Sequence, residues 1–124
     1  MRAVQPDRLA RPAGPYSPVV ESGDLVFTAG QVAHDGDGDL VEGGIEEQSR
    51  RAIENVQTCL AAAGCTLADV LKVSAFLADL GDFPAFNAVY REYFSDPYPV
   101  RTTVGVNLPD GILVELDAIA RRPA

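Results

Sequence analysis

The segment from Arg101 to Ala120 restricts the fold more than any other part of the chain. Thr102 to Val106 is β-branched apart from Gly105, Leu108-Pro109-Asp110-Gly111 carries turn chemistry, and Ile112 to Ala120 is again strand-like. Two strands joined by a hairpin or a short crossover follow. Alternation along the second strand puts Leu113, Glu115, Asp117 and Ile119 on one face and Val114, Leu116, Ala118 and Ala120 on the other. Two carboxylates therefore share a partly apolar face. Burying one unpaired would cost roughly several kcal/mol, so each needs water or a partner. Arg101, at the start of the preceding strand, is a candidate, and the simplest reading is a structural Arg101–Glu115 ion pair at a sheet margin.

Upstream, Pro6 and Pro12 mark residues 1–13 as a loosely held arm, and Gly14-Pro15-Tyr16-Ser17-Pro18 forces a turn or extended segment. Val19-Val20, a turn at Glu21 to Asp24, and Leu25 to Val32 read as a hairpin whose second strand is central. Gly30 in that strand implies a close backbone approach or a bulge. Ile45 to Ala63 has helical spacing of Ile45, Ala52, Ile53, Val56, Leu60 and Ala63, with acidic residues in its first turn and Gly64 after it. Thr66 to Asp69 has capping-box form, and Val70 to Leu77 reads as a further strand. A second helix begins with Asp82 as N-cap and carries Phe83, Phe86, Tyr90, Tyr93 and Phe94 on its apolar stripe until Asp96-Pro97 breaks it. The expected order is β-β-α-β-α-β-β in one α+β domain spanning residues 1–124, a mixed sheet with both helices on one face. A chain this small must cover the other face with a second copy.

Charge narrows the possible partners. A net charge of −8 gives no basic footprint for nucleic acid or an anionic membrane. In such a chain an arginine at a site carries more information, because it works against the overall field. The single histidine, His34, falls in a hydrophilic turn and leaves a Ser/His/Asp triad without its base. Asp35, Asp37, Asp39 and Glu46 imitate a calcium loop, but Leu40 stands where the sharp turn needs glycine, so no metal site is expected. Cys59 and Cys65 lie too far apart along the helix to bridge, which fits reduced thiols and the cytoplasm. The N-terminus lacks the apolar core of a secretory signal.

Four separate motifs carry a resemblance: Gly14-Pro15-Tyr16-Ser17, Thr28-Ala29-Gly30-Gln31, Asp79-Leu80-Gly81-Asp82-Phe83 with Asn87 and Tyr90, and Arg101-x-x-Val104 followed by Leu108-Pro109 and Val114-Glu115-Leu116-Asp117-Ala118-Ile119-Ala120. In this order they resemble the reactive intermediate deaminase (RidA/YjgF) family from Gly14 to Ala120. The resemblance implies a chorismate-mutase-like fold, a homotrimer with ligand clefts between subunits, and no metal or organic cofactor. It also implies hydrolysis of 2-iminopropanoate- or 2-iminobutanoate-type imines and enamines to 2-oxo acids and ammonia. On this reading Arg101 grips the substrate carboxylate and Glu115 orients water and handles protons. Tyr16, the Gly30 backbone and Asn87 line the cleft, with Thr103 near the water where many relatives have cysteine. Ala29 stands in place of the family's serine, and the segment from Val104 to Leu108 is slightly short, which opens the range to a larger or less polar substrate. The alternatives on the same fold are a non-catalytic carboxylate-binding or chaperone-like module and a ribonuclease or translation inhibitor.

Overall fold

The computed structural model describes residues 1–124. The helical periodicity becomes helix α1, Ile45–Ala62, with Ala52, Ile53, Val56, Cys59 and Leu60 buried. At its start the Glu47 carboxylate accepts the Gly44 backbone N–H at 3.1 Å. At its end Gly64 takes a φ of +78°, the left-handed conformation that suits glycine just past a helix. Helix α2, Phe83–Tyr93, buries Phe86, Val89 and Tyr90. Asp82 occupies its N-cap position without a side-chain bond, whereas Asp79 accepts from the Gly81 N–H at 2.8 Å and closes the preceding 3₁₀ turn. The capping box is present at the other 3₁₀ turn, where Asp69 accepts from the Thr66 N–H at 2.8 Å.

Six strands form one mixed sheet: β1 Arg2–Val4, β2 Val19–Ser22, β3 Leu25–Thr28, β4 Val70–Leu77, β5 Val100–Gly105 and β6 Val114–Arg121. Their spatial order is β1-β2-β3-β6-β4-β5, with only β4 and β5 parallel. Both helices pack on one face, over a core that takes in Leu77, Val114, Leu116, Ala118 and Ala120. The buried alternation on β6 matches the expectation. Cys59 and Cys65 are both buried and unbridged, and burial pushes the Cys59 thiol up to about 12.

The sheet departs from the sequence reading in several places: β2 runs on to Ser22 and β3 stops at Thr28. Residues 2–4, expected to belong to a loose arm, add an edge strand to β2, drawn there by the ladder and by Arg2 reaching Glu21 at 3.3 Å. Arg101 and Glu115 are not neighbours, because β5 and β6 are joined by a crossover and β4 lies between them. The expected ion pair is therefore absent.

Candidate active site

Arg101 starts from a position on β5 opposite Val73 of β4, a buried residue of the helix-covered face. Residues paired across a ladder point to the same face, so Arg101 and Thr103 lie under α2. There the guanidinium donates to the Asn87 side-chain oxygen at 2.8 Å. It also stands 4.6 Å from the Tyr90 ring centroid, 5.4 Å from Phe86 and 5.7 Å from Phe83, all within cation–π range. The first two turns of α2 thus supply both a hydrogen-bond acceptor and an aromatic bed. The remaining donors of the fork have an open depression before them, lined by Asn87, Tyr90, Arg91, Tyr98, Pro99 and Arg101. Burial pushes the Tyr90 hydroxyl up to about 12 against the pull of Arg101, so it stays neutral. The Tyr90 and Thr103 hydroxyls are both buried without a protein partner.

Glu115 belongs to the opposite face. It pairs with Phe76 across β4, and Phe76 in turn with Val104 across β5. Two strand spacings and three residues along the strand separate Arg101 from Glu115, about 14 Å between Cα atoms, with the sheet between their side chains. Burial first, and the neighbouring Asp117 second, hold the Glu115 carboxyl above the ordinary carboxylate range.

The backbone beside Glu115 is shaped to admit its side chain. Between the Phe27–Ile119 pair and the Gln31–Leu116 bridge, β3 advances four residues while β6 advances three, so one extra residue bulges out at Ala29–Gly30. A Cβ on Gly30 would lie 2.7 Å from Glu115 Oε2. A side chain there would push the Glu115 carboxylate off the backbone it lies over, so both the close approach and the bulge read from Gly30 are present. Ala29 is fixed in the bulge by its N–H donating to the Pro18 carbonyl at 2.9 Å.

Around Glu115 is a cavity of about 220 Å³ that also takes in Tyr16, Gly30, Gln31 and Ile112, with residues Leu9 to Ala13 as one wall. Tyr16 is 54% exposed, open to a ligand or a second chain. His34, expected to be solvated in its turn, is half-buried and lines this cleft. Asp35 instead spends its carboxylate within the turn, accepting the Asp37 and Asp39 N–H groups at 2.9 and 3.0 Å.

Two positioning residues escaped the sequence reading. Gln48, on α1, donates to the Gly111 carbonyl at 2.9 Å and accepts the Leu113 N–H at 3.0 Å, fixing the crossover into β6. Asn55 donates to the Val32 and His34 carbonyls at 2.9 and 2.8 Å, fixing the segment after Gly30. Both polar residues are buried on the core-facing side of α1. That placement is the signal that could have revealed them, since a buried amide is kept only where it is bonded.

The predicted residues thus fall into two groups: Arg101, Asn87 and Thr103 on the helix face, and Tyr16, Ala29, Gly30 and Glu115 on or beside the open face. A scan against family models matches residues 7–122 to the family described as Endoribonuclease L-PSP. The chain is 44% identical over 116 residues to a RutC family protein of Pyrococcus abyssi, covering 92% of this chain and 91% of that protein. It is 38% identical over 111 residues to the 2-iminobutanoate/2-iminopropanoate deaminase of Dermatophagoides farinae, covering 88% and 87%. Its backbone superposes on a crystal structure of RidA from an Antarctic Psychrobacter with a TM-score of 0.92 at 36% identity, over 98% of this chain and 99% of that one.

Proposed function

The chain belongs to the Endoribonuclease L-PSP family, the RidA/YjgF family that its motifs resemble, and from that footing we propose that it is an imine/enamine deaminase. Its substrates would be 2-iminopropanoate- and 2-iminobutanoate-type intermediates, its products 2-oxo acids and ammonia. The observation that carries this reading is the division of labour between the two clefts. One holds an arginine fork pre-set for a carboxylate, and the other a carboxyl kept easier to protonate than usual.

Arg101 would bind the substrate carboxylate through two parallel N–H···O bonds, a geometry lysine cannot reproduce. Glu115 would take a proton from water as its oxygen attacks the imine carbon. The C–O bond forms, the C=N π pair moves to nitrogen, and nitrogen takes up a proton. A second proton then reaches the nitrogen, and loss of the new hydroxyl proton re-forms a carbonyl as the C–N bond breaks and ammonia leaves. One water enters for each ammonia released, and no oxidant is needed. Free imines also hydrolyse unaided, so positioning and one proton-handling group suffice.

Since the sheet separates Arg101 from Glu115 within one chain, we further propose that a site is completed by a second copy, in a homotrimer whose clefts each join one arginine half to one glutamate half. The open sheet face supports this, with Phe27, Phe76 and Ile119 left partly exposed. So does the β5 edge, where Val100 is 67% and Tyr98 50% exposed. A net charge of −8 favours a small substrate over RNA. No helix is long and apolar enough to cross a membrane.

The test generates imines with an amino acid oxidase or threonine dehydratase and traps them with semicarbazide. Wild type should suppress the adduct while Arg101→Ala, still oligomeric, does not. Equal suppression by both would remove Arg101 from the reaction and the assignment with it. Saturable 2-oxo acid binding without suppression would favour the binding-module reading.

A further inference from the structure

The Glu115 cleft has a charged wall that the proposed reaction leaves unused. Arg11, on the segment before Tyr16, is the only arginine or lysine among its lining residues. The chain's four ion pairs join Arg2 and Arg122 to Glu21, Arg50 to Glu92 and Arg121 to Asp24, and none includes Arg11. Asp7, in the shallow depression that Arg11 also borders, does not come within ion-pair distance. An arginine offers five donors and no acceptor, so Arg11 presents an unused cation beside a cleft in a strongly acidic chain.

We infer that Arg11 forms a second anion subsite, and that the preferred substrates are 2-imino acids with a further carboxylate on the side chain. The inference rests on the deaminase reading for its chemistry. Arg101 of one copy would hold the carboxylate next to the imine carbon, and Arg11 of the adjoining copy the distal one. A dianion approaching Glu115 and Asp117 meets repulsion on the open face, and Arg11 offsets it where the ligand enters. His34, lining the same cleft, supplies a further hydrogen-bonding group. The hydrolysis itself is unchanged. Imines of this class arise where an acidic amino acid is oxidised at its α-carbon, so an oxidation of that kind must feed the site. Of the two options that Ala29 and the short Val104–Leu108 segment open, a larger or a less polar substrate, the Arg11 subsite takes the larger.

The experiment uses the full-length oligomer as wild type, Arg11→Ala and Arg11→Lys. Imines are released by oxidases acting on glutamate or on alanine, and semicarbazide competition gives kcat/KM for each. In Arg11→Ala the acidic-to-apolar ratio of kcat/KM should fall about tenfold or more, mainly through KM, because a charge-assisted bond is lost. Arg11→Lys should recover part of it. A ratio that stays at the wild-type value in Arg11→Ala overturns the inference. Calorimetric binding of 2-oxoglutarate and 2-oxobutanoate separates this inference from the deaminase reading. If neither imine is turned over but wild type prefers the dicarboxylate and Arg11→Ala does not, the deaminase reading fails and the subsite stands. Equal dicarboxylate affinity in the two proteins sinks the subsite whatever the turnover.

Discussion

Arg101 and Glu115 lie in regions built on contrary plans. The guanidinium is bonded to Asn87 at 2.8 Å and bedded on three aromatic rings of α2, so its direction is settled before any ligand arrives. Glu115 makes no ion pair within the chain, and its environment consists of partial burial, the Asp117 charge and a glycine cleared from its path. The contrast matches what each group would have to do. A carboxylate-binding fork gains affinity from being held still, because the ordering entropy is spent during folding. A proton-handling group needs a tuned field and room to change charge. Chemistry of this kind therefore asks the fold for rigidity on one face of the sheet and for partial desolvation on the other.

The comparison breaks most sharply at Arg101. Arg101→Lys keeps the charge but loses the planar fork and its stacking, so kcat/KM should drop about a hundredfold or more. Steady-state semicarbazone competition measures it, and a fall of less than threefold would mean that charge alone suffices. The next test addresses whether the two halves come from different copies. Arg101→Ala and Glu115→Gln should each be inactive alone. When they are unfolded together and reassembled at equal ratio, about a quarter of the clefts in a cyclic trimer join an intact arginine to an intact glutamate. Activity near that share supports sites shared between copies. None above the parent variants, in verified mixed oligomers, would place both residues in one subunit's site.

Legibility in the sequence followed the same division. The β6 alternation, α1 and the break at Asp96-Pro97 were readable because period and punctuation are local properties. That Arg101 and Glu115 end on opposite faces was not, since it depends on β4 inserting between β5 and β6, a choice made by non-local pairing. Gln48 and Asn55 were passed over because helical periodicity scores apolar residues and is blind to a buried amide bonded to distant backbone. The resemblance named residues on both faces, but only the strand order explains why a single chain cannot bring them together.

Asn87 sharpens the rigid side of the comparison. Asn87→Ala removes the acceptor that fixes one arm of the fork while leaving the aromatic bed. About 1.5–3 kcal/mol attends a hydrogen bond to a charged group, and part of it should appear as a roughly tenfold rise in KM. Initial-rate kinetics across a substrate range would show it. A fall in kcat at constant KM would mean that Asn87 acts in the chemical step instead.

Asp117 tests the tuned side, with the smallest expected effect. Its charge is the second cause, after burial, of the raised Glu115 pKa. In the proposed role of base Glu115 would work ionised, and kcat/KM would fall as pH drops through its pKa. Asp117→Asn lowers that pKa toward the ordinary range without reaching it, because burial remains, and the acid limb of the pH profile moves to lower pH. The other charged or titratable groups lining the cleft, Arg11, His34 and Tyr16, are left in place. Stability gives an independent sign. A raised carboxyl pKa means that the folded chain binds more proton than the unfolded one between the ordinary and the raised value. Stability therefore falls as pH rises through that window and stays lowered above it. Asp117→Asn should raise Tm slightly at pH 8, relative to wild type, and lose the difference at a pH below both values. An acid limb that stays in place while Tm shifts would mean that the limb belongs to a group other than Glu115.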